Sequence, residues 1–127
     1  RGGERKEISV SSLPVQNPIM DVGGETIDRY KAEIASADIV VLKGPAGVIE
    51  EPAFSLGTKE ILRAVADSKA LSIVGGGHES AILSELGLTD KIDYVSSGGG
   101  ALIAFLSGET LPAVEALARA AARMRSA

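Results

Sequence analysis

Apolar positions follow two rhythms along this chain. Short continuous apolar runs, each closed by glycine or serine, alternate with longer stretches in which apolar residues return every three to four positions. Residues 37–42 (ADIVVL), 70–74 (ALSIV) and 91–96 (KIDYVS) belong to the first kind. The first two are continuous enough to predict strands buried on both faces of a sheet. A brief alternation at Ile8-Ser9-Val10, ended by Leu13-Pro14, predicts one strand ahead of them. The second rhythm predicts helices. Thr26 stands where an N-cap would, before Ile27, Tyr30 and Ile34 on one face and Asp28, Arg29, Lys31 and Glu33 on the other. Gly57-Thr58 opens a second helix with Ile61, Leu62 and Val65 inward, and a third over residues 79–86 stops at Gly87, a C′ glycine. A short helix runs to Leu106. The last begins at Leu111-Pro112 and carries Val114, Leu117, Ala118, Ala121 and Met124 on a packing face, with Arg119, Arg123 and Arg125 toward its negative dipole end.

The resulting order, β-α-β-α-β-α-β-α, predicts an α/β fold: a parallel sheet of about four strands with helices on both faces, a partial Rossmann-like nucleotide-binding domain. The 127 residues fit a single domain, with residues 1–7 as a loose lead-in. All strands of a parallel sheet end on one edge, so three glycine turns should gather there: Lys43-Gly44-Pro45-Ala46-Gly47, Gly75-Gly76-Gly77-His78 and Ser96-Ser97-Gly98-Gly99-Gly100. Doubly wound sheets bind ligands along that edge.

Amides at helix starts suit phosphate, because their N–H groups are unpaired and the dipole is positive there. Neither G-x-x-x-x-G-K-[ST] nor G-x-G-x-x-G is present. Each turn alone is equally a tight strand-to-helix reversal; their alignment favours a site. Glu50 reads as a ribose contact or a solvated loop carboxylate. His78, the single histidine, reads as a metal or phosphate contact or as a helix-start residue on the surface. Asp21 is a turn former first. No Ser/His/Asp set assembles around His78, and the adjacent Glu50 and Glu51 are poorly placed for paired acid/base work. A valine at Gly99 should block phosphate approach and leave the core intact.

Charge and composition narrow the partners. A net charge of −4 argues against non-specific nucleic-acid binding, and 3% aromatics without tryptophan supply few stacking platforms. The chain has no cysteine, hence no disulfide and no thiolate metal site. Its apolar runs are too short to span a bilayer, and no secretory h-region opens it, so a cytoplasmic protein is expected.

Six motifs, in order, resemble those of phosphoglycerate kinase. Asp21-Val22-Gly23-Gly24-Glu25-Thr26 is similar to its D-I-G-x-x-T, and Gly44 to Glu50 (GPAGVIE) to its G-P-M-G-V-F-E. Phe54 with Gly57-Thr58 resembles F-x-x-G-T, Val74 to His78 resembles V-G-G-G-D, and Ser96 to Ala101 resembles S-T-G-G-G-A. Leu111-Pro112-Ala113-Val114 resembles the closing L-P-G-V. The resemblance implies the C-terminal portion of that enzyme's nucleotide-binding lobe, with ATP or ADP and Mg²⁺ as its ligands. It also implies reversible phosphoryl transfer between 1,3-bisphosphoglycerate and ADP. By motif position Gly23, Gly24 and Val48 would lie near adenine and ribose, and Glu50 would hold the ribose hydroxyls. Gly44, Pro45, Gly76, Gly77, His78, Glu79, Gly98, Gly99 and Gly100 would complete the nucleotide contacts, with the Gly77 and Gly100 amides steadying the transferring phosphoryl. Where many members have Asp, Thr and Asn this chain has His78, Glu79 and Lys43. That pattern is similar to the archaeal-type branch and leaves the metal ligand unassigned. The lobe that would bind 3-phosphoglycerate or 1,3-bisphosphoglycerate has no counterpart here, so the expectation is a fragment inactive alone. A non-catalytic nucleotide- or anion-binding module, or a structural fragment with an empty site, is the alternative.

Overall fold

The computed structural model describes residues 4–125. Three strands, β1 (Ile39–Lys43), β2 (Leu71–Gly75) and β3 (Tyr94–Ser96), form a parallel sheet in the order β1-β2-β3. Five helices accompany them among the described residues: α1 (Gly24–Ser36), α2 (Leu56–Asp67), α3 (Gly77–Glu85), α4 (Gly99–Leu106) and α5 (Pro112–Arg125). The α/β alternation and parallel pairing match the sequence expectation, with three strands in place of about four. Residues 8–10 do not form a strand. A 3-10 turn occupies Val10–Ser12, where the Ser9 hydroxyl accepts from the Ser11 N–H. Local serine hydrogen bonding competes with an extended strand, and Val10 is 72% exposed, so no packing opposes it.

The core lies on one face of the sheet. Ile61, Leu62 and Val65 from α2, Ile82 and Leu83 from α3, and Ile92 enclose Val74, with Val40, Leu42 and Val95 packed against them. The inward trio expected of α2 is buried. Its neighbour α1 contributes Ile27 and Ile34, is held to α2 by a Lys31–Glu60 ion pair, and leaves Tyr30 half exposed. Lys31 is the main cause that holds the Glu60 carboxyl below its usual range, with Arg63 helping.

On the opposite face Leu102 of α4 reaches Gly75: a Cβ on Gly75 would meet Leu102 Cδ2. Ile39 at 60%, Val41 at 44% and Leu71 at 50% exposure show that β1 and the start of β2 are not buried on both sides. The reason is layer count, since continuous apolar runs need helices above and below and most of the described helical packing lies on one side. The face expected to pack on α5 is likewise bare among the described residues, with Leu117 at 72% exposure.

Helix boundaries follow local hydrogen bonding. The N-cap of α1 is Gly23 rather than Thr26. The Glu7 carboxylate accepts from the Gly24 N–H, supplying from 17 residues away the acceptor that a capping side chain would provide. Of the lead-in over residues 1–7, residues 1–3 lie outside the described part, while Arg5 and Glu7 are engaged with the α1 start. The third helix ends as expected: Gly87 has φ +66°, and the Leu88 N–H reaches back to the Leu83 carbonyl.

Candidate functional site

The strand register aligns the three turns. Lys43 pairs with Gly75, and Gly75 with Ser96, so all three strands end at one level and their glycine turns share an edge. The Gly76 N–H donates to the Ser96 carbonyl at 2.9 Å, which extends the ladder one residue into the second turn. Gly76 has φ +140°, a conformation closed to other residues without strain. Both α3 and α4 begin at glycine N-caps, Gly76 and Gly98, with no capping side chain. Their first-turn amides therefore face the edge with no side-chain acceptor.

The glycines here do different work. A Cβ on Gly99 would sit 3.2 Å from both the Gly75 carbonyl and Gly76 Cα, and 3.3 Å from Lys43 Cε. Gly99 thus lets α4 approach the second turn. The expectation that Gly99→Val spares the fold is corrected: the added side chain points inward, not toward a ligand. Gly77 and Gly100 are the reverse, with nothing within 4 Å of a Cβ on either. Both are exposed, at the first and second positions of their helices. Gly98 is exposed as well.

The first turn is buttressed from below. Gly44 has φ +87°, and Pro45 follows at the strand end. The Thr58 hydroxyl, on a residue only 2% exposed, accepts from the Ala46 and Gly47 amides at 3.0 and 3.3 Å. Asp21 Oδ2 accepts from the Gly57 N–H at 3.0 Å while Oδ1 holds Val22 N–H. A Cβ on Gly47 would fall 2.2 Å from the Phe54 carbonyl and 2.5 Å from Asp21 Oδ1. Three separate sequence motifs, around Asp21, Gly47 and Gly57-Thr58, are therefore one close-packed knot that fixes the turn. Sequence reasoning missed this role of Asp21 and Thr58; the signal was a carboxylate and a hydroxyl flanked by glycines at each site.

Gly23 and Gly24 start α1 beside this knot, and the Val48 N–H donates to the Met20 carbonyl. Glu50 is exposed on the following turn. These four do not lie on the strand ends themselves. His78 is exposed at the second position of α3. Glu79 is 2% exposed, and its Oε1 has no hydrogen-bond partner among the described residues. No cluster of three or more His, Cys, Asp or Glu suited to a metal occurs among them. No described helix is long and apolar enough to cross a membrane.

Comparisons with known proteins agree with this fold. The sequence model of the family described as Phosphoglycerate kinase matches residues 2–109. The chain is 52% identical over 117 residues to phosphoglycerate kinase of Methanopyrus kandleri, covering 92% of this chain and 29% of that protein. The identity to the enzyme of Methanothermus fervidus is 46% over 123 residues, covering 97% and 30%. Among solved structures, phosphoglycerate kinase from Coxiella burnetii superposes with a TM-score of 0.75 at 44% identity, over 85% of this chain and 28% of that one. The Pyrococcus horikoshii enzyme gives 0.72 at 44% identity, over 80% and 25%. The chain thus spans about 29% of the length of the first of these relatives. With a family match over most of its length and the same fold in solved relatives, the chain belongs to the phosphoglycerate kinase family.

Proposed function

We propose that this chain carries the nucleotide half-site of a phosphoglycerate kinase. In the whole protein this half-site would serve reversible phosphoryl transfer between 1,3-bisphosphoglycerate and ADP, in glycolysis or gluconeogenesis. The observation that carries the reading is the level edge formed by Lys43, Gly75 and Ser96, where α3 and α4 start without side-chain caps and leave open space above Gly77 and Gly100. A polyphosphate fits such an edge because converging amides and two helix N-termini stabilise negative charge without a basic cluster. Phosphoryl transfer demands chiefly positioning and charge stabilisation, which amides of this kind supply. Val48, Glu50, Gly23 and Gly24, displaced from the phosphates toward the knot, are the adenine and ribose side of the same reading.

The family reading brings Mg²⁺ with the nucleotide. Mg²⁺ prefers oxygen donors and keeps waters beside one or two carboxylates and the phosphates. The partnerless carboxylate oxygen of Glu79, at the turn where phosphate would lie, fits that demand. The exposed His78 imidazole does not match a hard cation. The ion would lower the charge of the bound phosphates when present. The residues given span about 29% of a whole relative, so the transfer reaction is proposed for the whole protein and not for this stretch alone. Calorimetric titration with ADP and Mg²⁺ tests the reading: saturable binding supports it, and no heat up to millimolar nucleotide overturns it.

A further inference from the structure

The chain leaves β1 through two amides that end on one side-chain oxygen. Thr58 Oγ1 accepts from the Ala46 N–H at 3.0 Å and from the Gly47 N–H at 3.3 Å, and the residue is 2% exposed. Little water reaches an oxygen so enclosed, and loss of the hydroxyl would leave two amides without an acceptor. Thr58 is itself set by the start of α2, where Asp21 Oδ2 accepts from the Gly57 N–H at 3.0 Å. Beyond Gly47 the backbone continues on fixed partners. The Val48 N–H donates to the Met20 carbonyl at 2.9 Å, and the Glu51 N–H returns to the Val48 carbonyl at 3.1 Å. Glu50 thus stands exposed on a short turn whose entry is held by Thr58 and Met20.

The hydrogen bonds of this group join residues 20–58, and among the described residues none of them reaches the first turn of α3 or α4. The base-and-ribose side of the edge and its phosphate side are therefore held separately. Ordering a loop at the moment of binding costs affinity, and a loop ordered beforehand avoids that cost. We propose that Thr58 is a positioning residue for the nucleoside end of the ligand. Its hydroxyl presets the Ala46-Gly47 link, so that Val48 and Glu50 meet base and ribose without rearrangement, and it leaves the phosphate amides unaffected. The proposal rests on the nucleotide reading given above. Thr58 touches no ligand itself, since it lies buried beneath the turn.

The test compares the full chain with Thr58→Val, which nearly keeps the shape and removes the hydroxyl, and with Thr58→Ser, which keeps the hydroxyl. Calorimetric titration with ADP and Mg²⁺ gives the affinities, at a temperature where circular dichroism shows each protein folded. Thr58→Val should bind ADP about tenfold more weakly, and Thr58→Ser within about twofold of the wild type. At saturating ADP the amide NMR signals of Gly77 and Gly100 should coincide in all three proteins, while that of Val48 should differ in Thr58→Val alone. In the wild type, the Ala46 and Gly47 amides should resist hydrogen exchange before any ADP is added. Three results overturn the proposal and leave the nucleotide reading standing: folded Thr58→Val that binds as the wild type does, Thr58→Ser as weak as Thr58→Val, or displaced Gly77 and Gly100 signals in ADP-bound Thr58→Val. Free exchange at Ala46 and Gly47 in the unliganded wild type overturns it without any variant, which keeps it testable if Thr58→Val does not fold. Wild type that binds no ADP overturns both.

Discussion

Adding one methyl group at Gly77 or Gly100 separates what these glycines do for the fold from what they do for a ligand. Neither has positive φ, and a Cβ on either meets no atom within 4 Å, so alanine costs nothing sterically. Both lie in the first turn of their helices, where replacing glycine by alanine contributes at most the roughly 0.5–1 kcal/mol of a helix interior. For a domain of this size that is a rise in melting temperature of roughly 2–4 °C per substitution. A phosphate oxygen accepting from the amide would lie about 2.9 Å from the nitrogen, close enough for the new methyl to crowd it. ADP affinity should fall about tenfold, or about 1.4 kcal/mol. Thermal melts and calorimetry on Gly77→Ala and Gly100→Ala should therefore move in opposite directions, more stable and weaker in binding. Gly99→Ala provides the contrast, because its Cβ would press on the Gly75 carbonyl and Gly76 Cα at 3.2 Å and lower stability. If the Gly77 and Gly100 variants bind ADP like the wild type, these amides do not face the nucleotide and the reasoning fails.

Three further outcomes test the scaffold. Leu62→Ala, at a fully buried core position, should cost about 2–5 kcal/mol in denaturant unfolding, whereas Leu117→Ala, at 72% exposure, should change stability by less than about 0.5 kcal/mol. Thr58→Val leaves the Ala46 and Gly47 amides without their acceptor and should cost about 1–3 kcal/mol, with raised hydrogen exchange at both. Asp93 is held below its ordinary carboxylate range, first by the Ser72 backbone N–H and then by the Ser72 hydroxyl. A depressed folded value means its contribution is complete above the ordinary unfolded value and disappears as pH falls through the folded one. Asp93→Asn should therefore melt lower than the wild type at pH 7, with the gap closing in strong acid; a gap independent of pH would contradict the assignment.

Much of this architecture was legible because the signals were local. The runs at 37–42 and 70–74 announced β1 and β2, and the spacing of Ile61, Leu62 and Val65 fixed the buried side of α2. The glycine turns announced the shared edge through topology alone, since parallel strands must end together. What was not legible depended on distant partners. Glu7 caps α1 from 17 residues away, which no window around Thr26 can reveal. Ser9 and Ser11 turned an alternating segment into a 3-10 turn. The Ile39 and Val41 side of β1 and the apolar side of α5 could be read as buried from pattern, but burial also needs a covering layer, and these sides are exposed among the described residues. Within the edge, all three glycines of the last turn looked alike in sequence. Only the packing of α4 against Gly75 separates inward Gly99 from open Gly100.

The central claim, that a nucleotide's phosphates rest on the amides starting α3 and α4, is tested most directly by titrating the ¹⁵N-labelled chain with ADP and Mg²⁺ and following each amide by NMR. The largest saturable shifts should fall on Gly77 and Gly100, with Gly87 and Gly108, remote turn glycines of positive φ, unmoved. Binding that shifts other amides and leaves Gly77 and Gly100 unchanged would contradict it.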